Sequence, residues 1–101
     1  MQKKNYLIFK VISMVAIITI QNKKLQKILV DVAKEFINAT NKFGDFHNAH
    51  EGYAVLLEEV DELWDTIKLH QNYPHRLDLI KKETIQVSAM AIRILFDCCL
   101  F

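Results

Sequence analysis

A cluster of carboxylates in one short segment is the part of this chain that could do chemistry. Within residues 56–65, a turn of about 100° per helical residue brings Glu58, Glu59, Glu62 and Asp65 to one side. Neighbouring anions repel one another, so such a face is either solvated or neutralised by a bound cation. Carboxylate oxygens on a rigid scaffold suit a hard divalent ion. Magnesium is the expected cofactor, with manganese as the alternative.

A second group of oxygen ligands lies further along the chain. Glu83 and Gln86 are three residues apart and therefore share one helix face. If their helix packs antiparallel to the first acidic helix, they come opposite Glu59 and Glu62. Helical bundles often build metal sites from facing carboxylates in this way, so the pattern predicts one oxygen-lined site between two helices.

Two cationic side chains, Lys82 and Arg93, fall beside this predicted site and are available for phosphate charge. Metal ions that bridge phosphate oxygens and activate a water would hydrolyse a phosphoanhydride bond. This chemistry needs no nucleophilic Ser or Cys, and none is placed here to act as one. The competing interpretation of each residue is an ordinary solvated surface position.

Helices are expected to position these residues, because Gly and Pro are scarce, two and one in 101 residues. Apolar spacing predicts an all-α fold with helices over residues 23–41, 49–70 and 75–99. Gly44 is a stop signal for the first, and Asn48 with Glu51 has capping-box spacing for the second. Pro74 is expected near the first position of the third.

The apolar faces predict how these helices pack. On the first helix, Glu35 is expected on the outer side. On the second, Trp64 belongs to the apolar stripe and is expected in the core. The third helix is apolar almost all round after Gln86, and three helices cannot easily bury it. We therefore expect antiparallel helices that form a four-helix bundle on dimerisation.

The ends of the chain and its charge limit the function further. The formal net charge of +1 argues against a general nucleic-acid binder. The adjacent Cys98 and Cys99 indicate idle thiols in a reducing cytoplasm. Residues 1–21 are predicted to be an apolar extension ahead of a domain over 22–101. The apolar run 6–20 fits an appendage that packs on the domain or a partner, then a less favoured membrane-associating segment, and a signal peptide last.

Two short motifs resemble a known family. Residues 58–62 read E-E-x-x-E, and residues 83–86 read E-x-x-D with Gln86 at the last position. Together with the segment 50–64, they resemble the MazG-like branch of the all-α nucleoside triphosphate pyrophosphohydrolases, especially small phage and bacterial members. The resemblance covers roughly residues 25–97.

The resemblance implies an activity and a set of ligands. Family members hydrolyse nucleoside triphosphates to the monophosphate and pyrophosphate with magnesium, and assemble as dimers or tetramers. Glu58, Glu59 and Glu62 would be metal ligands, with Glu59 and Glu62 also orienting the water, and Glu83 a further ligand. Gln86 keeps an amide oxygen but removes one negative charge. The alternative is a non-catalytic helical oligomerisation or interaction module with a degenerate metal site.

Overall fold

The computed structural model describes residues 3–100, with the side chains of residues 3, 4, 15 and 18–20 left aside. Within this range the chain is helical and has no strand, so the all-α prediction is confirmed for it. The elements are α1 (Lys3–Gln21), α2 (Lys23–Phe43), α3 (Ala49–Ile67), α4 (Arg76–Ile94) and a π-helix (Leu95–Cys99). The π-helix separates the end of the third predicted helix from α4.

Local signals set the junction between α2 and α3 as predicted. Gly44 adopts the left-handed conformation, with φ +74°, and its N–H donates to Thr40 O at 2.8 Å. Glycine takes this conformation without a Cβ penalty, so the helix ends at the preceding residue. At the start of α3, Asn48 Oδ1 accepts a hydrogen bond from Glu51 N at 2.9 Å and caps the helix.

The junction between α3 and α4 differs from the prediction. Helix α3 ends at Ile67 rather than near residue 70, and His75, with φ +57°, precedes α4. Pro74 therefore lies in the turn and not in the first helical position. The Arg76 side chain donates to Leu69 O at 3.0 Å and to Ile67 O at 2.8 Å. These bonds satisfy carbonyls that the end of α3 leaves free.

The chain divides into two compact units, one ending at Val30 and the other beginning at Asp31. The first contains α1, whose large apolar side chains are exposed wherever they are described. None of the described helices is both long and apolar enough to cross a bilayer. The domain boundary predicted at residue 22 stays a prediction.

The second unit has a small apolar core drawn from α2, the 44–48 loop and α4. Its buried members are Val32, Ala39, Phe46, Ala89 and Met90. Partly buried side chains surround them: Phe36, Val55, Leu56, Ile85, Ile94 and Cys98. Trp64 is not among them, because its side chain is 56% exposed, so its predicted place in the core is wrong. The apolar face of α3 is wider than the surface that α4 covers.

A close approach fixes α3 against α4. Gly52, in the first turn of α3, is buried beside Ile94, in the last turn of α4. At the other end, Arg76 of α4 reaches the end of α3, so the two helices run in opposite directions. A Cβ on Gly52 would lie 2.7 Å from Ile94 Cγ1 and 3.2 Å from Phe46 Cδ2. A side chain at this position would require Ile94 and Phe46 to move.

We expect Gly52→Ala to destabilise the protein by about 1–2 kcal/mol in denaturant unfolding. Overpacking costs about 1–3 kcal/mol, and the better helix propensity of Ala offsets up to about 1 kcal/mol. In an Ile94→Ala background the clash with Cγ1 is gone and only the 3.2 Å contact with Phe46 Cδ2 remains, so the same change should cost clearly less. Equal destabilisation in both backgrounds would contradict the packing described.

Candidate functional site

Three carboxylates converge where α3 faces α4. Glu59 and Glu62 are three residues apart on α3, and Glu83 projects from α4. One carboxylate oxygen from each lies within 4.8 Å of the other two. The sequence predicted this convergence on the condition that the helices run in opposite directions, and that condition is met in α3 and α4. Glu58 lies on the same helix but is not one of the three.

Gln86 bridges two of these carboxylates. With its amide nitrogen turned toward them, it donates to Glu59 Oε2 at 3.0 Å and to Glu83 Oε2 at 2.9 Å. The opposite orientation would direct the amide oxygen at two acceptors, so we assign the nitrogen to this position. Gln86 thus links α4 to α3 through hydrogen bonds that an Asp could not donate when ionised.

The crowding of negative charge changes the acidity of the site. Partial burial, followed by the charge and hydrogen bond of Glu62 and the charges of Glu83 and Glu35, raises the pKa of Glu59 from 4.5 to about 7. Burial and Glu62 also raise the pKa of Glu83, and the nearby Lys82 ammonium opposes that rise. One proton is therefore held within the cluster close to neutral pH.

The three carboxylates open onto a cavity of about 810 Å³. All the site residues predicted from the sequence line it: Glu58, Glu59, Glu62, Lys82, Glu83, Gln86 and Arg93. Glu58 and Lys82 are exposed, whereas Glu59, Glu83 and Gln86 are partly buried. The volume is within the range of about 300–1,000 Å³ that is usual for pockets holding small organic ligands.

Arg93 is a buried cation in this cavity, with 1% of its surface exposed. Its Nη2 donates to Gly44 O, and Nη1 lies 3.5 Å from Met90 Sδ. The guanidinium stacks on Phe46, 4.1 Å from the ring centroid, while Nε has no partner. A guanidinium stays charged when buried, so Arg93 places a positive charge in the cavity wall, with one buried N–H that has no partner.

The contribution of α2 to the cavity was not predicted from the sequence. Glu35, Asn38 and Lys42 line the cavity, so the predicted outward orientation of Glu35 is wrong. Their spacing of three and four residues places them along one helix face, beside the core residues Phe36 and Ala39. That polar stripe next to an apolar stripe was the available signal. That this polar stripe faces the acids of α3 could not be predicted from the sequence, because it depends on how α2 packs.

The end of α2 and the 44–48 loop supply an aromatic wall. Phe43, Gly44 and Phe46 line the cavity, and Phe46 is also part of the buried core. The Phe46 N–H donates to Asp97 Oδ2 of the π-helix at 2.9 Å, and Arg93 holds the Gly44 carbonyl. The cavity wall is therefore fixed by side chains from the C-terminal end of the chain.

The arrangement can hold a hard divalent cation. Carboxylate oxygens are the ligands that Mg²⁺ prefers, and here three of them converge with an amide at hand. The same cavity carries Lys42, Lys82 and Arg93, which can bind the negative charge of a phosphate. A site with both features fits an anionic ligand that also coordinates metal.

Comparisons of the chain with protein families, with curated proteins and with solved structures find no match. The resemblance to the MazG-like family therefore depends on the two motifs and their place in the fold.

The raised pKa of Glu59 predicts how stability varies with pH when no metal is added. Between about pH 4.5 and 7 the folded protein binds more protons than the unfolded chain, so the free energy of unfolding should fall as pH rises through this window. Glu59→Gln cannot ionise and should flatten that part of the curve in urea unfolding with chelator present. Asp61→Asn, an exposed position on α3, is the control. The same slope in Glu59→Gln as in the unchanged protein would contradict the assignment.

Proposed function

We propose that this protein is a magnesium-dependent nucleoside triphosphate pyrophosphohydrolase that releases the monophosphate and pyrophosphate in the cytoplasm. The observation that carries the proposal is the convergence of Glu59, Glu62 and Glu83 in a cavity that also contains the buried Arg93. The E-E-x-x-E and E-x-x-Q motifs supply these residues. A house-cleaning role in the nucleotide pool follows from the family that the motifs resemble.

Glu59, Glu62 and Glu83 would hold the ion, with Glu58 and Gln86 completing the oxygen ligands. A bound Mg²⁺ would neutralise phosphate charge and make a coordinated water more acidic. Gln86 must turn its amide over to present oxygen, which breaks its hydrogen bonds to Glu59 and Glu83. The carboxylates lose those donors as the cation neutralises their charge.

Glu59 and Glu62 are the candidates to accept the proton of the attacking water. A general base works best when its pKa lies near the working pH, and the pKa of Glu59 is raised to about 7. Glu62 acts on both Glu59 and Glu83 through its charge and hydrogen bonds. It is therefore suited to orient the water between them.

Lys82 and Arg93 would bind the phosphates. Lys82 is adjacent to Glu83 and exposed, so it can reach a phosphate that enters from solvent. Arg93 is fixed by Gly44 and Phe46, and its positive charge in the cavity wall would attract the phosphates. Phe43 and Phe46 line the cavity with aromatic rings, against which the base and sugar of the nucleotide would pack.

Assembly with a second copy belongs to the same proposal. An apolar stripe with alternating spacings of four and three residues runs along α3: Tyr53, Leu57, Val60, Trp64 and Ile67. Each of these side chains is at least 38% exposed, and this spacing is that of a helix–helix seam. Pairing through it would give the antiparallel four-helix bundle of a dimer, or part of a tetramer.

A second function, a non-catalytic interaction module, is favoured by one observation. Gln86 already satisfies two carboxylates without any cation, and Glu59 holds a proton near neutral pH. Such a site would need no cation to balance its carboxylates, and the exposed apolar stripe on α3 would then serve assembly alone. The two functions differ in whether magnesium binds and whether phosphate bonds break.

The first test is pyrophosphate release from a panel of canonical and modified nucleoside triphosphates, with magnesium and with chelator. We expect release only with metal, and a kcat/KM at least about 100-fold lower in Glu59→Gln and Glu62→Gln, because each removes a ligand and a base. Asp61→Asn removes one charge from the exposed side of α3 and should leave turnover unchanged. A folded protein with no release from any member of the panel would exclude this activity.

A magnesium titration followed by thermal unfolding tests the metal site separately from turnover. At a concentration 100 times the Kd, bound metal should stabilise the fold by about 2.7 kcal/mol. Gln86→Asp adds a negative charge and should tighten binding about tenfold, the effect of about 1.4 kcal/mol. No stabilisation of either protein would favour the interaction module.

A further inference from the structure

Charge is distributed very unevenly between the two units of the chain. Residues 1–30 contain six of the thirteen Lys and Arg residues and none of the twelve Asp and Glu residues. The first acid is Asp31, where the second unit begins. The first unit is thus strongly basic, although the whole chain has a net charge of only +1.

The same unit carries an uncovered apolar helix. Large side chains along α1 are half exposed or more: Tyr6, Leu7, Ile8, Phe9, Val11, Ile12, Met14 and Ile17. Monomeric soluble proteins rarely expose so many apolar side chains together, and such a patch marks an interaction site. A partner that covers the first unit must therefore complement both its positive charge and its aliphatic surface.

The apolar positions of α1 extend around the whole helix: Tyr6, Met14 and Ile17 lie within about 40° of Lys10, and other apolar side chains lie opposite it. Ile8 and Ile12 are each about 160° around the helix axis from Lys10, at 100° per residue. Ile8 is 50% and Ile12 62% exposed, and Lys10 is exposed as well. A helix lying flat on an interface could bury Ile8 and Ile12 while Lys10 stays at the level of anionic groups.

We infer that the first unit binds the surface of an anionic lipid bilayer, with α1 in the interface and Lys10, together with Lys23 and Lys24, against the headgroups. Anionic headgroups match the basic charge, and the acyl boundary matches the aliphatic side chains. A nucleic acid would match only the charge, and a second copy of this equally basic unit would bring like charges together. This inference is independent of the proposed enzymatic function.

The test is flotation of the full chain with vesicles of phosphatidylcholine alone and of equal parts phosphatidylcholine and phosphatidylglycerol. We expect binding to the anionic vesicles only, weakened by added salt. Lys10→Gln should lower the partition coefficient about fivefold, the contribution of one lysine near such a surface. Ile12→Glu should lower it further, and Lys81→Gln, an exposed lysine of α4, should not change it.

Other outcomes would overturn the inference. Equal binding to both vesicles, or no binding to either, would remove the charge match on which it rests. Binding that persists in Ile12→Glu, with helix content confirmed by circular dichroism, would exclude α1 as the contact. A self-association that Ile12→Glu abolishes, without vesicle binding, would assign the surface to a second copy. Binding to a DNA duplex in place of vesicles would assign it to nucleic acid.

Discussion

Repulsion among three carboxylates is the constraint around which the second unit is built. Glu59, Glu62 and Glu83 lie within 4.8 Å of one another because α3 and α4 are held together at both ends. Gly52 allows the close approach at one end, and Arg76 ties the helices at the other. This packing fixes the backbone positions from which the three acids project. Two features reduce the repulsion between the carboxylates: the raised pKa of Glu59, which favours its protonated form, and the hydrogen bonds that the Gln86 amide donates to Glu59 and Glu83.

Much of this arrangement could be predicted from the sequence, because its signals are local. Gly44 and Asn48 mark the helix ends through conformations and caps that depend on a few neighbouring residues. The acids of α3 and the Glu83–Gln86 pair are likewise set by helical spacing within one element. Once α3 and α4 run in opposite directions, their convergence follows. The metal ligands and the substrate remain predictions, since they depend on molecules that the spacing does not name.

The features that could not be predicted depend on which faces meet. Trp64 belongs to an apolar stripe that is too wide for one neighbouring helix, so part of it is exposed. Glu35 reads as a surface residue on α2 until the acids of α3 are placed near it. The burial of Arg93 beneath Phe46 joins residues far apart in sequence. The exposure of Trp64, the orientation of Glu35 and the burial of Arg93 all depend on tertiary packing. The periodicity of a single helix does not show which neighbouring helix covers each of its faces.

The hydrogen-bond register of the chain changes from α-helical to π-helical at its C-terminal end. Leu100 N–H reaches Leu95 O, five residues back, so this turn contains one residue more than an α-helical turn. Loss of a single residue ahead of Asp97 would restore the α-helical register and rotate the remaining C-terminal residues by about 100°. Asp97 would leave the Phe46 amide, yet Met90 and Arg93 would keep their places. The π-helical turn therefore determines whether Asp97 reaches the loop that walls the cavity, so a one-residue change in the tail would be felt at the site.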